Sequence, residues 1–155
     1  MASFVKLNGF VEHKNHGVHN LGSDQLKLAL SNTAPSAEST DPSIDTDDCV
    51  LASVTQVSYT NLDGGTSSLN VTTTSSGQSG GVYKLVLEDK TGVNQLKASG
   101  GSLGPFRYVY LVNDTPSSPA DPLVGYWDKG ESITLADGEG MDVDFSEVNG
   151  VLQDS

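Results

Sequence analysis

Apolar and polar residues alternate along most of the chain from Gln25 onward. In the segment Gln-Leu-Lys-Leu-Ala-Leu, the residues Leu26, Leu28 and Leu30 occupy every second position. Successive side chains of a strand point to opposite faces of a sheet, so this period predicts strands with one apolar face. The same alternation recurs at Tyr83, Leu85 and Leu87, at Ile133 and Leu135, and at Met141, Val143 and Phe145.

The segment from Gly104 to Asn113 has the strongest strand pattern. Its two sets of alternate positions are both largely apolar, with Phe106, Tyr108, Tyr110 and Val112 on one side and Arg107, Val109 and Leu111 on the other. A strand that is apolar on both faces is typical of the middle of a sheet. We therefore expect this segment to be a central strand.

Turn residues divide the remaining segments. We expect strands over 54–59, 69–74 and 123–128, and a hairpin in which 83–87 pairs with 96–98. Between them we expect an exposed excursion over 32–48, a short helical turn near 48–53 and a loop over 116–122. The Ser- and Gly-rich residues 75–81 are expected to break the strand that precedes them. Eight or nine short strands separated by turns predict an all-β fold, an antiparallel β-sandwich or jelly roll. No alternation of strands and helices points to a parallel α/β fold.

Residues 1–22 differ from the rest and are interpreted as an N-terminal arm in front of a β-sandwich domain over 23–155. Apolar residues lie there among Asn, Gly, Lys and three histidines. Helical spacing fits Leu7, Phe10 and Val11, but Gly9 and Gly17 disfavour a helix, so we expect a partly extended arm. Its apolar side chains need a surface to cover them, either on the same domain or on another chain. The candidate interface residues are Phe4, Val5, Leu7, Phe10 and Val11.

Composition narrows the function classes. The formal net charge is −12, with a single arginine, so the clustered cations that bind nucleic acid or an anionic membrane are missing. Cys49 is the sole cysteine, which excludes an intrachain disulfide. No segment has the length and hydrophobicity of a signal peptide or membrane span, so we expect synthesis and use in a cytosol.

Candidate chemistry is sparse. His13, His16 and His19 follow one another at three-residue intervals and are either metal ligands or solvated and interface histidines. Acidic residues around 45–48 and 137–144 raise the question of calcium, although Asp142 and Asp144 also fit a strand with carboxylates facing water. No nucleophile elbow or phosphate-binding loop occurs. We expect no catalytic residues, no cofactor and no metal, and we keep a sugar-binding module, with aromatic residues at 108, 110, 126 and 127, as an alternative.

Several stretches resemble a family of small structural proteins of tailed bacteriophages. The matching stretches are residues 19–35, 54–61, 104–115, 123–139 and 144–152, which include Gly-Pro-Phe-Arg-Tyr-Val-Tyr-Leu-Val-Asn and Leu-Val-Gly-Tyr-Trp-Asp-Lys-Gly. Two loops, around 38–49 and 90–95, are longer than the family pattern. These are scaffold motifs, so they indicate a shared fold more directly than a shared role.

The resemblance implies a virion component, with capsid decoration as the leading role. A decoration or cement protein made in the host bacterial cytoplasm would bind the outer capsid surface and bridge neighbouring major capsid subunits. Its expected partners are the major capsid protein and further copies of itself, expected as a homotrimer, with no nucleic acid and no membrane. A neck, tail or fibre-associated role is the alternative within the same class.

Overall fold

The computed structural model describes residues 3–35 and 49–155. Within them the chain forms ten strands, one α-helix and several 3-10 turns. The strands are β1 Phe4–Lys6, β2 Leu26–Ser31, β3 Asn70–Val71, β4 Thr73–Ser79, β5 Val82–Leu87, β6 Leu96–Lys97, β7 Leu103–Asn113, β8 Leu123–Leu135, β9 Gly140–Met141 and β10 Leu152–Asp154, and the helix is α1 Asn8–Asn15. All pairings of the named strands are antiparallel. The expected all-β antiparallel sandwich class is confirmed.

A five-stranded sheet forms the centre of the molecule, in the order β1-β8-β7-β2-β3. The expectation that 104–113 is a central strand is confirmed, because β7 lies between β8 and β2 and is buried over most of its length. β8 is a single strand from Leu123 to Leu135, where the alternation suggested two shorter ones. Irregular register between β7 and β8 lets this long strand bend while pairing continues at both ends.

The strand register sorts the central sheet into two faces. Phe4, Trp127, Val109 and Leu30 are successive cross-strand partners, and they lie on the face that packs in the main core. On the opposite face the corresponding row is Val5, Tyr126, Tyr110 and Ala29. This second face is covered by a smaller cluster that includes Leu7, Cys49, Leu51 and Val54.

A second sheet, in the order β10-β5-β4, contributes Leu85, Leu87 and Leu152 to the main core. The predicted break at residues 75–81 is wrong: β4 continues to Ser79 and forms a tight hairpin with β5. Gly80 and Gly81 close it with φ of 61° and 83°, the left-handed conformation that a two-residue hairpin turn requires. The polar Ser and Thr side chains of β4 are compatible with a strand because they are exposed rather than buried.

Two further predictions are corrected. The predicted hairpin of 83–87 with 96–98 is wrong, since β5 pairs with β4 and β10 whereas β6 pairs with β9. Residues 54–59 form no strand beyond a single bridge from Gln56 to Ser31. The helical turn near 48–53 is confirmed as a 3-10 turn at Leu51–Ser53, and residues 36–48 of the predicted excursion lie outside the described part of the chain.

Candidate interaction surfaces

The described N-terminal residues pack against the sandwich. Strand β1 pairs with β8 at the edge of the central sheet, and α1 follows after Leu7. The helix was not expected because of Gly9, but a Cβ at Gly9 would lie 2.4 Å from the Cβ of Cys49. Glycine at this position therefore allows α1 to approach the chain at Cys49, which outweighs its low helix propensity.

The five candidate interface residues separate into two groups. Phe10 is fully buried and Leu7 is 4% exposed, both within their own chain, and Phe4 packs on Trp127 with ring centroids 4.8 Å apart. Val5 and Val11 remain 43% and 38% exposed. A partner can therefore reach the two valines, while Leu7 and Phe10 serve the fold, and deleting residues 2–17 would remove core side chains together with any contact surface.

A buried polar cluster ties the segment after α1 to the end of β7. The side chain of Asn113, fully buried, donates from Nδ2 to Asp24 Oδ2 at 2.7 Å and to His19 Nδ1 at 3.1 Å. Its Oδ1 accepts from the backbone N–H of Thr115, and Asp24 Oδ2 also accepts from the N–H of Asn20. The amide thus joins elements that are distant in sequence, and the separate hydrogen bonds fix which way it points.

His19 is held neutral in this cluster. Burial, reinforced by the neighbouring His13, lowers the pKa of His19 to about 4, although Asp24 acts in the opposite direction. Since Nδ1 accepts a hydrogen bond, the proton of the neutral ring is on Nε2, which has no hydrogen-bond partner among the described residues. The ring also packs on Phe10, with centroids 4.8 Å apart. Protonation of His19 would therefore work against the folded state.

The three histidines do not form a ligand set. His13 is 2% exposed, His16 lies at the exposed end of α1 near Glu12, and the rings of His13 and His19 are 6.2 Å apart. Within residues 3–35 and 49–155, no three His, Cys, Asp or Glu side chains are grouped so that they could hold a metal ion. The alternative interpretation of Asp142 and Asp144 fits the structure, as both are exposed while Val143 and Phe145 are buried.

Most of the aromatic side chains considered for sugar binding pack inside the protein. Tyr126 and Trp127 face opposite sides of the central sheet, as expected, and Tyr108, Tyr110 and Trp127 are buried. Arg107 lies over the ring of Tyr108 at 5.3 Å and donates two hydrogen bonds to Asp128, at 2.7 and 3.0 Å. These bonds hold the pKa of the Asp128 carboxyl below its usual value. All ten aromatic side chains lie in the described residues, and each is buried or half-buried.

Strand β4 is the surface that the sequence analysis missed. Ser75, Ser76, Gly77, Gln78 and Ser79 are all exposed, and their far edge pairs with no described strand. The run Gly64–Tyr83, which contains β4, is the longest part of the sequence without a charged residue. That lack of charge is visible in the sequence and is the signal that could have identified this edge.

Two exposed valines lie elsewhere on the surface, Val93 in the loop before β6 and Val148 before β10, with 101% and 78% exposure. Among the described residues, no helix combines the length and apolar character needed to span a membrane. Comparisons with protein-family models, curated proteins and solved structures each found no match.

Proposed function

We propose that this chain is a structural component of a tailed-bacteriophage virion, a decoration protein that binds the outer capsid surface and bridges neighbouring major capsid subunits. The observation that carries the proposal is where the resembling stretches fall. Residues 19–35, 104–115 and 123–139 include β2, β8 and all of β7 after Leu103, and these are adjacent strands of the central sheet. The likeness to phage structural proteins therefore lies in one connected scaffold rather than in scattered loops.

The contact surface is narrower than the N-terminal sequence suggested. Of the five candidate residues we retain Val5 on β1 and Val11 on α1, because both side chains are accessible. Val5 stands at the edge of the central sheet, where the rigid pairing of β1 with β8 fixes its position. Burying apolar side chains on a preordered element costs little conformational entropy, which favours a stable contact.

Decoration of this kind acts by mass action. A protein that binds the assembled shell and not its separated subunits shifts the equilibrium toward assembly, by an amount set by its concentration relative to its dissociation constant. The net charge of −12 opposes non-specific association between unbound copies. No chemical step is required of any residue.

The test is cryo-electron microscopy of particles made by the phage that encodes this chain, with the copies per particle counted. We expect the chain on the outer capsid lattice in many copies. Its location only at the neck or tail would contradict decoration while keeping a virion role, and its absence from purified particles would contradict both.

The contact residues are tested separately by binding to particles that lack the protein. Val5→Asp with Val11→Asp should weaken binding at least about tenfold, as a charge replaces buried apolar surface at each position. Val148→Asp is the matched control, because it places the same charge on another exposed valine, in the segment that precedes β10 of the second sheet. Equal binding by all these variants would remove the N-terminal valines from the contact.

A further inference from the structure

The edges of the two larger sheets are unequally protected. In the central sheet the edge strands β1 and β3 contain three and two residues, and in the second sheet β10 contains three. Strand β4 has seven residues. Natural proteins blunt exposed edges with charged side chains, proline, bulges or short length, because an open edge is a template for another strand. From Ser75 to Ser79, β4 has none of these features, since its one irregularity lies between Thr73 and Ser75.

The hairpin geometry identifies which backbone groups of β4 face outward. Ser79 and Val82 flank the two-residue turn, so they form the hydrogen-bonded closing pair, and bonded pairs then alternate along the ladder. Gly77 and Ser75 therefore point their N–H and C=O groups toward β5. The corresponding groups of Ser76 and Gln78 point away from the sheet, toward solvent.

Charge limits what can approach this edge. Two copies of a chain with a net charge of −12 repel each other over most of their surfaces. No residue of the run Gly64–Tyr83 is charged, and β4 lies within it, so the strand itself adds nothing to that repulsion. The strand is also self-compatible, because its Ser, Thr, Gly and Gln residues place no like charges opposite one another when it pairs with its own copy.

We propose that β4 is a self-association edge at which a second copy of this chain adds its own β4, antiparallel, across a twofold axis. The two three-stranded sheets then form one continuous six-stranded sheet, held by the outward N–H and C=O groups of Ser76 and Gln78 from both copies. The contact is independent of capsid binding, and its twofold symmetry differs from the threefold association expected from the sequence. It is a weak contact, since it buries little apolar surface.

Sedimentation velocity over a concentration series tests the contact with two variants at one position. Gln78→Pro removes the outward N–H, and proline is tolerated where an edge strand faces solvent. Gln78→Ala is the matched control, because it loses the same side chain and keeps the N–H. Wild type and Gln78→Ala should form dimers as concentration rises, and Gln78→Pro should associate at least about tenfold more weakly, since two hydrogen bonds are lost per dimer.

Salt and amide exchange provide two independent readouts. Higher salt should strengthen the dimer, because it screens the repulsion between two acidic copies. In the concentrated protein, the amides of Ser76 and Gln78 should gain protection from hydrogen exchange, while those of Ser75 and Gly77 are already protected in the monomer. This second readout uses only wild-type protein, so it decides the question even if Gln78→Pro fails to fold.

The proposal is overturned if wild type remains monomeric at millimolar concentration in high salt. A trimer, a dimer that Gln78→Pro forms as readily as Gln78→Ala, or association that leaves the Ser76 and Gln78 amides exchanging freely would overturn it equally.

Discussion

The N-terminal segment and the β4–β5 hairpin differ in how well their apolar and polar residues indicated their place in the fold. The first, interpreted as an arm whose apolar side chains are covered either by its own domain or by another chain, places Phe10 in the core and is tied to β7 through Asn113. The second, interpreted as interrupted by a Ser- and Gly-rich break, is a regular hairpin with an exposed edge. Apolar content therefore indicates which segment the fold needs, and polar content does not distinguish a loop from an edge strand.

The largest effect should come from Phe10, which tests whether the N-terminal segment belongs to the core. Phe10→Ala should lower the free energy of unfolding by about 3–5 kcal/mol, because it removes a fully buried aromatic ring and leaves a cavity. Urea unfolding measures this. Val11→Ala, one residue further along α1 and 38% exposed, is the control and should change stability by less than about 0.5 kcal/mol. Similar small losses for both would mean that the segment is a dispensable arm after all.

The sequence predicted an element correctly where its pattern of apolar residues is compatible with only one position in a sheet. β7 could be predicted because both of its faces are apolar, and only a central strand buries both. The helix α1 could not, since Gly9 disfavours a helix locally and its value lies in the approach to Cys49, about forty positions away. Strand partners such as β6 with β9 depend on contacts between distant segments, which alternation alone does not encode.

The candidate interaction surfaces could be predicted from the sequence less well than the strands of the central sheet. Phe4, Val5, Leu7, Phe10 and Val11 were selected because they are apolar, but the choice between self-burial and contact with a partner depends on the register of β1 against β8. The hydrogen bond between His19 and Asn113 spans 94 positions, so the histidine spacing gave no indication of it. The uncharged run around β4 was visible, but only the sheet order shows that it lies at an edge.

Acid should loosen the N-terminal segment before the rest of the fold. The pKa of His19 is about 4 in the folded state against 6.5 for the ordinary side chain, so the unfolded chain binds more protons between these values. The contribution of neutral His19 to the free energy of unfolding is therefore complete above about pH 7. It is lost as the pH drops from about 6.5 to 4, and the loss is at most about 3 kcal/mol. The Asp128 and Asp154 carboxyls, whose pKa values are lowered by ion pairs, add their losses at lower pH.

The variant His19→Asn isolates this contribution. Its side-chain oxygen can still accept from Asn113, and the side chain does not titrate, so the decline between pH 6.5 and 4 should flatten in urea unfolding at several pH values. His16→Asn, at the exposed end of α1, is the control and should keep the wild-type slope. An unchanged slope in His19→Asn would assign the acid sensitivity to other groups.

A smaller loss of stability is expected at Gly125, where β1 pairs with β8. A Cβ at Gly125 would lie 2.3 Å from Phe4 Cζ and 2.4 Å from the backbone oxygen of Val5, so β1 must shift away from its partner. We expect Gly125→Ala to cost about 1–3 kcal/mol, as overpacking does, and to weaken binding to undecorated capsids because Val5 moves. Gly77→Ala in β4, with no atom within 4 Å of the added Cβ, is the matched control. Normal capsid binding by a folded Gly125→Ala would separate the position of β1 from the contact.

The smallest effect should be at the hairpin turn, where backbone conformation alone is changed. A side chain at Gly80 meets no atom within 4 Å, yet its φ is 61°, so the cost of Gly80→Ala is the left-handed strain of about 1 kcal/mol. Gly80→Asn should recover much of this loss, since Asn tolerates the left-handed region and Asn-Gly favours a two-residue turn. Because the turn sets the register of β4, Gly80→Ala should also weaken the concentration-dependent protection of the Ser76 and Gln78 amides, and Gly80→Asn should keep it. If both variants were equally stable and equally protected, the hydrogen bonds between β4 and β5, rather than the turn, would hold the hairpin. The β4 edge would then tolerate changes at Gly80, whereas the N-terminal segment does not tolerate the loss of the Phe10 ring.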